Sequence, residues 1–66
     1  HEEIHTALQR INRRERAYLW YRFGFEDDVY HPLNETAKYF YLSESRAKST
    51  EALALDNVWL ELPWWY

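Results

Sequence analysis

The 66-residue chain has room for one domain, since a chain near this size buries only about 60% of its unfolded surface and so forms one modest core. It has no cysteine, which excludes a disulfide framework and thiolate metal sites and fits a reducing, cytoplasmic setting. A net charge of −3 counts against strong independent nucleic-acid binding, because free-standing domains of that kind are usually basic.

No apolar run approaches transmembrane length and no signal-peptide pattern is present, so no membrane partner is expected. The chain does not begin with Met and reads as a piece of a longer protein. Aromatics are abundant, with four Trp, six Tyr and three Phe, and stability must lean on large flat side chains. With one Gly, two Pro and no sustained strand-like alternation, the fold class expected is all-α with short turns.

In chain order, the first helix is expected from Glu2 to Ile11, where Ile4, Ala7, Leu8 and Ile11 make one apolar stripe. It opens on His1-Glu2-Glu3-Ile4-His5, the H-E-x-x-H pattern in which two histidines on one helical face bind zinc beside a glutamate base. A zinc site needs a third ligand, and the remaining histidine, His31, starts another helix. His5 therefore reads as a surface residue, and no metal, cofactor, catalytic residue or small-molecule substrate is expected.

Asn12 caps a second helix, with Glu15 placed to complete a capping box, and Gly24 suits the left-handed turn after Phe23. Tyr18 and Leu19 face inward, together with Phe23 or Tyr21, which leaves Trp20 more exposed. Arg10, Arg13, Arg14, Arg16 and Arg22 crowd this third of the chain, relieved by Glu15. The cluster from Arg10 to Arg16 suits either phosphates or an acidic partner, or else a solvated junction with local pairs to Glu15 or Glu2. Glu26, Asp27 and Asp28 form an acidic turn; adjacent carboxylates in an open turn have no apolar pocket to split their pKa values, so catalysis is not expected there.

Pro32 sets the first turn of a third helix, Leu33 to Tyr41, with Leu33, Ala37 and Phe40 inward and Thr36 a weaker member. Tyr39 and Tyr41 read as solvent-facing. Leu42 and Ser43 form a tight junction, and Ser43 caps a fourth helix from Glu44 to about Leu60. Its inner face reads Ala47, Thr50, Ala54, Leu55 and Val58. Helix, short turn and capped helix, about residues 33 to 60, is a helix-turn-helix layout. Pro63 ends the last helix, and the tail of residues 61–66 is aromatic. Trp59, Trp64, Trp65 and Tyr66 cannot all fit a domain this small unless the tail folds back over it.

Several of these residues resemble region 4 of housekeeping-type bacterial sigma factors. The matching elements are Arg14-Glu15, Leu19 and Arg22-Phe23-Gly24, then His31, Leu33, Glu35, Ala37 and Phe40. They continue with Leu42-Ser43, Arg46, Glu51, Ala54-Leu55 and Val58, in order and without a gap, over roughly residues 2 to 58. The resemblance implies a four-helix domain ending in a helix-turn-helix that recognises the −35 promoter element and packs against the β flap of RNA polymerase.

By that resemblance, Ser43, Ser45, Arg46, Lys48 and Ser49 are the candidate DNA contacts on the recognition helix, and Arg22 is placed beside the DNA backbone. The sequence departs from the family where Glu44, Ser45, Ser49 and Leu53 stand at positions that often carry Arg, Glu, Gln or Lys, where Asp56 and Asn57 replace the usual basic pair, and where Pro32 replaces a capping Thr. A changed promoter preference, or a domain that works within its holoenzyme, follows from those losses. Trp20, Trp59, Trp64 and Trp65 are the candidate partner contacts, since Trp and Tyr concentrate at interface hot spots. The alternative reading is a protein-interaction module on a sigma-like scaffold that binds the polymerase flap or an anti-sigma protein.

Overall fold

The computed structural model describes residues 2–25 and 27–65. It contains four helices: α1 (Glu2–Arg10), α2 (Arg13–Phe23), α3 (Leu33–Tyr39) and α4 (Glu44–Glu61). Among the described residues there is no strand, and no helix is long and apolar enough to cross a membrane. The molecule measures 34 × 23 × 17 Å. The organising element is α4, which packs against all three other helices.

Local chemistry sets the boundaries. Asn12 accepts a hydrogen bond from the Glu15 amide at 2.8 Å, which satisfies one of the open donors at the start of α2. Gly24 ends α2 at φ 63°, and a Cβ there would lie 2.6 Å from the backbone N and O of Val29. The next loop crosses so close that only glycine fits. Ser43 repeats the Asn12 device on α4, accepting from the Arg46 amide at 3.1 Å. Pro32 starts α3 without a side-chain cap.

Between α3 and α4 the chain turns through a Schellman motif. The Leu42 amide donates to the Ala37 carbonyl at 2.8 Å and the Tyr41 amide to the Lys38 carbonyl at 3.1 Å. Tyr41 occupies the left-handed position, φ 58°, that glycine usually takes there. The junction is thus Phe40 to Ser43, and α3 ends two residues before the Tyr41 limit expected from the sequence.

The core consists of Ala7, Leu8 and Ile11 from the α1 end, Tyr18 and Leu19 from α2, Ala37 from α3, and Ala47, Ala54 and Val58 from α4. Ile4, Phe23, Leu33, Phe40 and Leu42 pack around it, half-buried. Three expectations need correction. Thr36 is fully buried, because its hydroxyl donates back to the Pro32 carbonyl at 3.0 Å and needs no water. Leu55 is exposed: α4 closes on the core through positions 47, 54 and 58, and Leu55 lies on the flank of that stripe. The fold-back of the tail is met only in part: among the described residues Leu62 packs against the core, while Trp64 and Trp65 are 95% and 61% exposed, and Trp59 at the end of α4 is 71% exposed.

Trp20 also departs from expectation. It is half-buried, with the His5 ring edge-on at 5.8 Å and Phe25 at 6.1 Å. Its cover comes from another helix and from the loop after Gly24.

Candidate nucleic-acid interface

The helical repeat of α4 sorts its polar residues. Positions 47, 51, 54 and 58 point inward, which turns Ser45, Ser49, Ala52 and Asp56 directly outward, all exposed. Arg46 and Lys48 stand on opposite flanks of that outer stripe, about 160° apart around the axis, and both are exposed. Ser43 lies at the helix entrance with its hydroxyl oxygen engaged by the Arg46 amide. The candidate residues on α4 therefore share one exposed end of one helix, with serines in the middle and a cation at each side.

Arg22 sits apart from them. Its Nε donates to Glu51 Oε1 at 2.9 Å, and one terminal nitrogen donates to the His31 carbonyl at 2.9 Å. The Tyr18 hydroxyl donates to the same Glu51 oxygen, also at 2.9 Å. This network ties α2 to α4 and to the entrance of α3, and it fixes how α4 is presented. Burial and the Glu51 carboxylate together push the Tyr18 hydroxyl up to about 12 from 10.0, since both disfavour the phenolate.

A second polar tie has the same purpose. Glu15 is buried, and its carboxylate accepts from the Asn57 side-chain amide at 2.8 Å instead of closing the expected capping box. Among the described residues no ion pair joins Arg13, Arg14 or Arg16 to Glu15 or Glu2; the two ion pairs are Arg22 with Glu51 and, at 3.9 Å and well exposed, Arg10 with Glu61.

The candidate partner residues fall into two places. Trp59, Trp64 and Trp65 stand out from the C-terminal end of the domain, with the exposed Leu60 among them. Trp20 lies on α2, half-buried between His5 and Phe25 and packed against the core. His1 of the H-E-x-x-H pattern, Glu26 and Tyr66 fall outside the described residues. No group of three or more potential metal ligands occurs among the described residues.

Sequence comparison adds the family. The chain is 34% identical over 56 residues, 85% of its length, to a probable RNA polymerase sigma-C factor of Synechocystis. It belongs to the sigma factor family. The aligned segment makes up 14% of that relative, so the chain spans a small part of a sigma factor's length. No protein-family profile matches it.

For a sigma segment, the roles of Glu51, Glu15 and Asn57 were hidden in the sequence, where charged positions on a helix read as solvent-facing. One signal was available. Glu51 falls in register with Ala47, Ala54 and Val58, so an inward carboxylate needed a buried donor, and Tyr18 and Arg22 are both on the inner side of α2.

Proposed function

We propose that this sigma segment is a region 4-type promoter-reading domain of a transcription initiation factor. The observation that carries the reading is the capped entrance of α4, which carries Ser45 and Ser49 outward between Arg46 and Lys48. A helix laid in a major groove directs its outer stripe at base edges and its flanks at the two phosphate backbones. Ser45 and Ser49 supply hydroxyls that accept or donate to either base type, Arg46 and Lys48 neutralise phosphates, and Ser43 holds the helix entrance. Arg22 serves the Tyr18–Glu51–His31 network first, and its contribution at the backbone is second to that. There is no catalytic step; the domain works by position.

The −35 promoter element is the DNA expected, with the RNA polymerase core, through its β flap, as protein partner in the cytoplasm. Trp59, Trp64 and Trp65 offer that contact, whereas Trp20, half-buried beneath His5 and Phe25, adds little to it. With only two cations at the entrance of α4 and a net charge of −3, binding to DNA alone is weak and gains from the holoenzyme.

The test is binding to a promoter-length duplex across a salt series, with Arg46→Ala and Lys48→Ala. Each variant should lower the salt slope by about 0.9, the value for one phosphate contact. Slopes unchanged in both variants would refute the reading of α4.

A second reading is favoured by the exposed tryptophans: a module that grips the polymerase flap or an anti-sigma protein with no DNA contact of its own. It predicts that Trp59→Ser with Trp64→Ser abolishes flap binding, while Arg46→Ala and Lys48→Ala change nothing.

A further inference from the structure

The outer face of α2 carries a site that the reading above does not use. Arg13, Arg16, Ala17, Trp20 and Tyr21 recur at helical spacing on the side opposite Tyr18 and Leu19. With Tyr39 and Phe40 from the α3 end they line a groove of about 670 Å³, within the roughly 300–1,000 Å³ range of small-ligand sites. Since α2 and α4 meet through their inner faces, this groove lies away from the outer stripe of α4.

Three observations define what it would hold. The first is charge. Arg13 and Arg16 form no ion pair among the described residues, and the carboxylate between them in sequence, Glu15, is buried on Asn57. The solvent side of this helix start is thus cationic although the chain is acidic overall.

The second is aromatic order. Tyr21 is stacked on both faces, by His31 at 3.8 Å and by Tyr39 at 4.0 Å, each 13° from parallel. Phe40 closes edge-on against Tyr21 at 5.7 Å, and the His31 Nδ1–H donates to the Tyr21 carbonyl at 2.7 Å. The stack ends at Tyr39, which is 59% exposed.

The third is shape. Ala17, a small exposed residue, forms the floor between the Trp20 side and the Tyr21 side. A bulky residue there would fill the groove.

Guanidinium groups beside aromatic planes on a rigid floor are the parts used to hold single-stranded nucleic acid: cations track the phosphates and the rings stack with the bases. We propose that the α2 groove binds a nucleotide unit, with its phosphate at Arg13 and Arg16 and its base against the aromatic walls. Gln9 and Asp27 at the rim supply an amide and a carboxylate for base or sugar hydrogen bonds. The same chemistry is offered by a free mononucleotide and by an unpaired strand.

The experiment uses the chain with Trp59, Trp64 and Trp65 replaced by Phe, which leaves Trp20 as its sole indole. A short oligothymidylate and, separately, a mononucleotide are titrated in while Trp20 fluorescence is followed. Quenching by the strand, weakened at least about tenfold by R13E with R16E and about tenfold by Tyr39→Ala, is the expected result. The salt slope should fall by about 0.7 in the double arginine variant, the single-strand value for one phosphate. Ala17→Phe, at an exposed position that leaves the core untouched and adds no second indole, should abolish quenching.

Saturation by the mononucleotide at comparable affinity assigns the site to free nucleotides; saturation by the strand alone assigns it to unpaired nucleic acid. The proposal is overturned if neither ligand quenches, if affinity is unchanged in both the arginine variant and Ala17→Phe, or if an acidic tryptophan-free peptide binds where nucleic acid does not. Arg46→Ala should leave every groove result unchanged, so a failure of promoter reading by α4 is separable from a failure here.

Discussion

Replacing Glu51 by Ala should unfold this domain more readily than any single change on its surface. The carboxylate takes two hydrogen bonds on one oxygen, from the Tyr18 hydroxyl and from Arg22 Nε, both at 2.9 Å. Removing it strands the Tyr18 hydroxyl in a site where the residue is 1% exposed, which costs about 1–2 kcal/mol. It also strands the Arg22 guanidinium. The two side chains of that pair are 24% and 21% exposed, so the loss lies between the at most about 1 kcal/mol of a surface pair and the 3–5 kcal/mol of a buried one, or about 1–2 kcal/mol. The sum is about 3 kcal/mol. For a domain of this size that lowers the melting temperature by roughly 12–24 °C.

Thermal unfolding followed by far-ultraviolet circular dichroism measures it, with Tyr18→Phe and the double variant completing a cycle. Tyr18→Phe alone should cost about 1 kcal/mol, since Arg22 still holds Glu51. A cost under about 1 kcal/mol for Glu51→Ala, or two changes that add without coupling, would mean that Glu51 does not hold Tyr18 and Arg22 together.

The raised Tyr18 pKa, about 12 against 10.0, means that the folded state favours the protonated phenol. Above pH 10 the unfolded phenol ionises first, so stability falls by about 2–3 kcal/mol as pH climbs toward 12; the difference in urea midpoint between the parent and Tyr18→Phe should shift by that amount across the range. Tyr41→Gly should stabilise the domain by about 0.5–1 kcal/mol, because a 96%-exposed side chain is held at φ 58°, and a melting temperature that fell would contradict this. Gly24→Ala should cost more than about 2 kcal/mol, since the added Cβ meets the Val29 backbone at 2.6 Å; an unchanged urea midpoint would show that the loop gives way.

What the sequence disclosed followed from local rules. Asn12, Gly24 and Ser43 announced the ends of α2 and the start of α4 because capping depends on residues within three or four positions. Ala7, Leu8, Ala47, Ala54 and Val58 were legible because burial on a helix recurs at its own period. The exposed entrance of α4 followed from the same repeat. Glu51 and Arg22 were not legible as a pair, for their partnership spans 29 positions and depends on how α2 crosses α4. Glu15 with Asn57, 42 positions apart, escaped for the same reason. Trp20 misled because its cover comes from His5 and Phe25, outside its own helix. The arginine cluster was visible as a run of letters, but its net sign at the surface depended on where Glu15 went.

The length of α4 has a mechanical consequence. Its 18 residues make one continuous rod, about 26 Å from first to last at 1.5 Å per residue. Ser45, Arg46 and Lys48 sit near one tip, and Trp59 and Leu60 near the other. The three other helices bear on it from the side and form a fulcrum. A partner that takes hold of the tryptophans grips a lever, and a tilt of about 10° about the mid-point would swing the serine end by about 2 Å over half that length. Such a tilt would strain the bonds from Glu51 to Tyr18 and Arg22 and from Asn57 to Glu15, so these ties set how stiffly the two ends of the helix are held in register.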